Sequence, residues 1–177
     1  MKEKEINRAK SLTLKALPTF CVLPTVAVAS DTLGLFASEC SIFHVLLYFF
    51  LVEFCVFIDH YYILHKFKIH SHGIHNIHHS FRTIDSWAAF AFHPLDGLSQ
   101  GLPVVYVAYA VPVPAVVVYF FIIFVGVWTI FIHTKTGINI PLLLCYDHHS
   151  VHHRLNWFNF GFVTQFWDWC FGTLKAR

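Results

Sequence analysis

Charge is scarce in this chain. Of its 177 residues only 12% are charged, and 12 Lys and Arg nearly balance 10 Asp and Glu, for a formal charge of +2. An average globular domain carries roughly 25% charged residues. So little charge beside 56% hydrophobic residues excludes an ordinary soluble fold and makes the bilayer the natural solvent. No Lys/Arg patch is interleaved with aromatics, which argues against a nucleic-acid partner. Cysteine pairs are missing too. Cys21, Cys40, Cys55, Cys145 and Cys170 form no C-x-x-C motif and no framework spacing, so they read as small buried hydrophobes. There is no internal repeat or low-complexity linker, and the length suits one domain.

Two residue types are plentiful: 20 Phe and 14 His, the histidines outnumbering either the acids or the bases. Residues Met1 to Lys15 form a basic, polar tail, ahead of a single membrane-embedded domain over 16–177. Ala16 to Ala37 is apolar but interrupted by Pro18, Pro24 and Asp31. Ala27-Val28-Ala29 resembles a small-residue cleavage site, yet an uncleaved first membrane helix is the expectation. Ile42 to Ile58 is a clearer span. Leu98 to Ile132 is apolar and uncharged, longer than one crossing of about 20 residues and shorter than two. Its break at Pro112-Val113-Pro114 predicts a short helical hairpin. If the hairpin returns to its starting side, all 12 Lys and Arg lie on one membrane face, with Lys66, Lys68 and Arg82 after the second span and Lys135, Arg154, Lys175 and Arg177 after the hairpin. Positive residues mark the cytoplasmic side, so the polar segments on that face are expected in the cytoplasm.

Those segments hold the chemistry. Three clusters stand out: His60-Tyr-Tyr-Ile-Leu-His65, His75-Asn-Ile-His78-His79 and His149-Ser-Val-His152-His153. Residues three and four apart share a helix face, so each H-x-x-H-H run is expected to present three imidazoles to one place. With the first pair these make eight ligands, too many for one ion and enough for two. Neutral imidazole suits Zn, Cu, Fe or Ni, which leaves the metal open. His44, His70 and His72 stand alone and read as surface or satisfied core histidines. Asp59, Asp85, Asp147 and Asp168 could orient ligand imidazoles, with Asp147 the foremost. Glu53 is either a functional intramembrane acid or an ordinary residue near the bilayer edge. His93 reads as a support to the ligands or a loop anchor. Trp87, Phe90, Phe92, Trp157, Phe158, Trp167 and Trp169 read as interfacial anchors.

The boxes, their order and the intervening hairpin resemble the fatty acid hydroxylase/sterol desaturase superfamily of membrane di-iron enzymes. The resemblance runs from about Glu53 to Leu174. Ala91-Phe92-His93-Pro94-Leu95-Asp96-Gly97, then Gln100-Gly101-Leu102-Pro103, is similar to the stretch after the second box in sterol C5-desaturases (lathosterol oxidases). Trp128 to His133 resembles the end of their hairpin, and Phe166-Trp167-Asp168 with Gly172-Thr173 follows the third box as in that family. Tyr61, Asn76-Ile77 and Gly137 depart from the usual pattern. The resemblance implies an all-α fold of integral membrane helices with a cytoplasmic helical cap holding a histidine-rich dimetal site. It carries the metal-ligand role onto His60, His65, His75, His78, His79, His149, His152 and His153, with His133 as a further ligand. It also implies two iron ions, dioxygen as co-substrate, and electrons from cytochrome b5 or a similar carrier fed by NAD(P)H. The expected setting is the endoplasmic reticulum and the expected reaction is insertion of a 5,6 double bond into a Δ7-sterol. A fatty acyl, sphingoid or sterol hydroxylase of the same superfamily is the alternative. A histidine-rich divalent-metal transporter is the rival from another class, and it would place its ligands at the bilayer midplane.

Overall fold

The computed structural model describes residues 2–67 and 71–176. Met1, Lys68, His70 and Arg177, which figured in the reading of tail, charge and lone histidines, lie outside the described residues. Helices dominate. Among the described residues the extended pairing recorded is one isolated antiparallel bridge between Leu143 and Thr164.

The first helix, α1, runs over Glu3–Thr32, so its start lies well before Ala16. The basic stretch is helical because it packs. Ala9 and Ala16 are fully buried, Arg8 lies 5.1 Å from the Phe81 ring, and Lys10 lies 4.4 Å from the Trp87 ring. Pro18 and Pro24 sit inside α1; each removes one backbone donor, a loss that membrane helices tolerate.

Helix α2 spans Ile42–Ile58, as its apolar run predicts, with the Ser41 hydroxyl capping it by accepting from His44 N at 3.4 Å. It does not stop at Ile58. The chain continues as a π-helical segment over Asp59–Lys66, giving one 25-residue helix, and Phe67 N donates to Tyr62 O, five residues back, at 2.8 Å. An i→i+5 ladder stacks residues five apart, whereas an α-helix would turn His65 well away from His60. A second π-helical turn, Ser71–His75, leads into α3, Asn76–His79.

Helices α4 (Pro94–Gly101) and α5 (Pro103–Ala110) run nearly end to end, each opened by a proline in the position where its missing N–H costs nothing. A turn over 111–114 then reverses the chain into α6, Ala115–His133, and this is the expected hairpin. The third box lies on α7, Tyr146–Leu155, which ends at Asn156 in the left-handed conformation (φ 63°); α8 covers Phe166–Cys170. Among the described residues three helices are long and apolar enough to cross a membrane: Glu3–Thr32, Ile42–Lys66 and Ala115–His133. On α6, Val116, Phe120, Ile123, Val127 and Ile130 recur every three or four residues and are exposed, the stripe a spanning helix turns to lipid.

The main core joins Tyr48, Val52 and Val56 of α2 to Val104, Val105 and Ala108 of α5 and to Val118 and Phe121 of α6. The Tyr48 hydroxyl donates to the Val104 carbonyl within it. A smaller core sets Ala9 of α1 against Phe81, Ile84, Ala88 and Ala91.

Candidate metal centre

Among the described residues nine histidines converge in two groups. The first comprises His60, His65, His75, His79 and His152; the second comprises His78, His133, His149 and His153, and within each the ligand nitrogens lie within 4.8 Å of one another. Eight of the nine are buried. All the box histidines are therefore brought together, and His133, at the end of α6, joins them.

The grouping differs from the expectation that each H-x-x-H-H box would serve one place. Box two sends His75 and His79 to the first group and His78 to the second. Box three does the reverse, sending His149 and His153 to the second group and His152 to the first. Helix geometry explains the split. Residues i and i+4 are offset by about 40°, while i+3 and i+4 are about 100° apart, so one helix can face two centres at once. Two such helices set against each other share both.

The ring nitrogens are assigned by their partners. His60 Nδ1 donates to Phe160 O at 2.8 Å, His152 Nδ1 to Phe158 O at 2.8 Å, His133 Nδ1 to Thr129 O at 2.7 Å and His153 Nδ1 to Phe81 O at 3.1 Å. A carbonyl only accepts, so in each of these rings Nδ1 carries the hydrogen and, in the neutral ring, Nε2 bears the lone pair. His75 Nδ1 faces Asp96 Oδ2 at 2.9 Å. These anchors fix ring orientation and raise ligand basicity, as outer partners of metal-bound imidazoles do.

What remains is a set of Nε2 atoms aimed at one another. His75 Nε2 lies 3.2 Å from His60 Nε2, 3.0 Å from His65 Nε2 and 2.9 Å from His79 Nε2. In the second group, His133 Nε2 lies 3.3 Å from His78 Nε2 and 3.1 Å from His149 Nε2, which is 3.2 Å from His153 Nε2. His152 Nε2 is buried with no hydrogen-bond partner among the described residues. Facing lone pairs repel unless a cation sits between them. Nitrogens about 2.1 Å from a metal stand about 3.0 Å apart at right angles and about 3.4 Å apart at a tetrahedral angle, so these spacings match the edges that coordination polyhedra would have. Burial, followed by the neighbouring imidazoles, holds His78, His79, His149, His152 and His153 well below the ordinary histidine pKa. They are neutral near pH 7, the form that binds metal. The donor set fits two divalent metal ions.

Two buried carboxylates build the wall behind this centre. Glu53 Oε1 accepts from Val163 N at 2.7 Å, and its Oε2 accepts from Thr164 N at 3.1 Å and Thr164 Oγ1 at 2.6 Å. Asp168 accepts from Phe160 N at 2.8 Å, Gly161 N at 2.7 Å and Thr173 Oγ1 at 2.7 Å. Segment 160–164, whose Phe160 carbonyl orients His60, is thus pinned at both ends. Gly161 has no room for a side chain: a Cβ there would lie 2.6 Å from Leu144 Cδ1 and from Thr164 O, and 2.8 Å from Asp168 Oδ2. Glu53 serves here as a staple for the loop.

Of the other residues singled out from sequence, Asp59 accepts from Ser99 Oγ at 2.7 Å, Asp85 caps the turn at Trp87 N, and Asp147 lies in the first turn of α7. His93 caps α4, its Nδ1 accepting from Leu95 N at 3.2 Å. The carboxylate that sequence reasoning missed is Asp96, fully buried against His75 and held by Gln100 Nε2 at 2.7 Å. Burial pushes its carboxyl up, but His75, His78 and the Gln100 amide outweigh that and hold it below the usual carboxylate value. Its signal was present in the stretch Ala91 to Gly97, with nothing local to link it to a histidine 21 residues away.

Residues 45–173 match the fatty acid hydroxylase family. The chain belongs to that family. Among curated members it is 31% identical over 177 residues to an Arabidopsis thaliana protein whose name assigns it, provisionally, as a Delta(7)-sterol-C5(6)-desaturase, covering 93% of this chain and 63% of the relative. It is 29% identical to the Delta(7)-sterol-C5(6)-desaturase of Nicotiana tabacum, covering 93% of this chain and 65% of that protein. It is also 29% identical to the lathosterol oxidase of Rattus norvegicus, covering 98% and 62%. The chain thus spans somewhat less than two-thirds of the length of these relatives. No solved structure matches it. The family match takes in eight box histidines together with His133, Glu53, Asp96 and Asp168.

Proposed function

We propose that this chain is a membrane di-iron oxidoreductase that uses dioxygen to oxidise a lipid, and that its reaction is desaturation of a Δ7-sterol between C5 and C6. One observation carries the reading. A cavity of about 340 Å³ is walled by apolar side chains of α1, α2 and α6, including Phe20, Leu23, Phe49, Val52 and Phe121, and ends on His60, His75, His78, His133 and His149. It therefore touches both histidine groups at once and offers an apolar ligand access to each.

In this reading His60, His65, His75, His79 and His152 hold one iron, and His78, His133, His149 and His153 hold the other. When bound, the iron pair supplies dioxygen activation and the removal of hydrogen from carbon. The chain does the rest. The Phe160, Phe158, Thr129 and Phe81 carbonyls and the Asp96 carboxylate keep the Nε2 atoms of His60, His152, His133, His153 and His75 on their targets. The apolar walls exclude water and let a lipid enter sideways from the bilayer.

The sterol assignment is supported by the names of the relatives and by the stretches Ala91 to Gly97 and Trp128 to His133. Hydroxylation of a fatty acyl, sphingoid or sterol substrate is the alternative outcome of the same site. A transporter is disfavoured because the histidines gather at the ends of α2 and α6 rather than midway along them. The catalytic membrane domain takes in the basic segment as well as residues 16–177, since Ala9, Arg8 and Lys10 of α1 pack on Phe81 and Trp87. The boxes face the cytoplasm of an endoplasmic-reticulum membrane, where cytochrome b5 or a similar carrier delivers electrons from NAD(P)H. Lipid profiling of a host lacking its own C5-desaturase tests this. Restored 5,6-unsaturated sterols are expected; hydroxylated lipids with untouched Δ7-sterols would replace desaturation by hydroxylation, and no change in either class, with metal loaded and electrons supplied, would overturn the enzyme.

A further inference from the structure

Apart from the histidines, of which His78 and His149 keep a buried Nδ1 without a hydrogen-bond partner among the described residues, one polar side chain of the cavity wall has an amide oxygen to spare. Among the groups lining it, both Glu53 oxygens are taken by Val163 and Thr164, and the Thr129 hydroxyl donates to Val125 O. Gln100 is different. Its Nε2 donates to Asp96 Oδ1 at 2.7 Å, and since a carboxylate only accepts, the orientation of the amide is settled. Its Oε1 points away from that bond and has no hydrogen-bond partner among the described residues. Gln100 lines the cavity between Gly97 and Gly101 on the same helix, where Phe92 and Leu23 pack into the space that a Cβ on either glycine would take.

We propose that Gln100 orients the substrate by accepting, through Oε1, a hydrogen bond from the hydroxyl of a lipid alcohol. An apolar pocket with one placed polar group fixes which end of a greasy ligand enters first. Position sets the chemistry further. Gln100 bonds Asp96, and Asp96 bonds His75 at 2.9 Å, so the anchored hydroxyl lies three hydrogen bonds from the first metal group. The carbon oxidised is then only a few bonds from the hydroxyl-bearing carbon, as C5 is in a 3-hydroxysterol, and a lipid whose hydroxyl is remote from the reacting carbon is excluded.

The inference rests on the lipid-oxidase reading, so its test is one of binding. The purified full chain in detergent micelles is titrated with a Δ7-sterol and with its 3-O-methyl ether, each displacing a fluorescent sterol. The wild type is expected to bind the alcohol about tenfold more tightly, the worth of one hydrogen bond in a dry site. Gln100→Leu and the near-isosteric Gln100→Met are expected to bind both ligands equally, at the level of the ether, with metal content unchanged. An unselective wild type, or a Gln100→Leu variant that still prefers the alcohol, overturns the proposal. So does a parallel loss of metal and of both ligands, which would make Gln100 a support for His75 alone. Turnover measured beside binding separates the two claims: oxidation without alcohol preference sinks the anchor only, and alcohol preference without oxidation sinks the enzyme only.

Discussion

Replacing Glu53 by Ala removes three acceptor contacts at once: Val163 N at 2.7 Å, Thr164 N at 3.1 Å and Thr164 Oγ1 at 2.6 Å. Glu53 is 5% exposed, so water does not replace them freely. A buried donor left unsatisfied costs about 1–3 kcal/mol. Counting the two backbone donors alone, and leaving the hydroxyl to rotate elsewhere, the loss is at least about 2 kcal/mol and reaches about 6. For a chain of this length that lowers the thermal midpoint by roughly 4 °C at the least and more than 10 °C at the upper end. Glu53→Gln keeps one oxygen but turns an NH2 toward a donor, so about half the effect is expected. Thermal denaturation in detergent, followed by tryptophan fluorescence, measures both. Because the loop carries Phe160 O to His60, metal retention should fall in the same order. A Glu53→Ala variant with an unchanged midpoint and full metal content but no turnover would refute the staple and restore Glu53 as a functional acid.

Asp96→Ala strips His75 Nδ1 of its partner, and the expected result is a 10–100-fold weaker hold on one metal, read by chelator competition, with the other ion retained. Gly161→Ala forces a methyl into contacts of 2.6 Å with Leu144 and Thr164, and should lower the midpoint by the equivalent of about 1–3 kcal/mol. Accessible cysteines or glycosylation acceptors inserted near Ser71 and near Asn156 should report the same membrane face, the cytoplasmic one; opposite faces would contradict the hairpin.

The spans and the hairpin were legible because hydropathy is local: Ile42 to Ile58 and the Pro112 to Pro114 break can be read without knowing their neighbours. The histidines were legible because their spacing is local as well. Their division was not. Whether His78 sides with His75 or with His149 depends on how α3 meets α7, and no short-range pattern encodes that. The π-helical continuation past Ile58, which aligns His60 with His65, follows from tertiary demand rather than propensity. The partners of Glu53 and Asp96 lie 110 and 21 residues away, beyond any periodicity. The early start of α1 was hidden because basic residues read as solvated, while Arg8 and Lys10 in fact lie over aromatic rings.

That nine histidines divide five and four between two irons is tested most directly by counting iron in the chain purified under reducing, anaerobic conditions. Two ions per wild-type chain are expected, and one in the double variant His149→Ala/His153→Ala, which leaves the second group two ligands and the first group untouched. Fewer than two ions in the wild type, or two still held by the double variant, would contradict it.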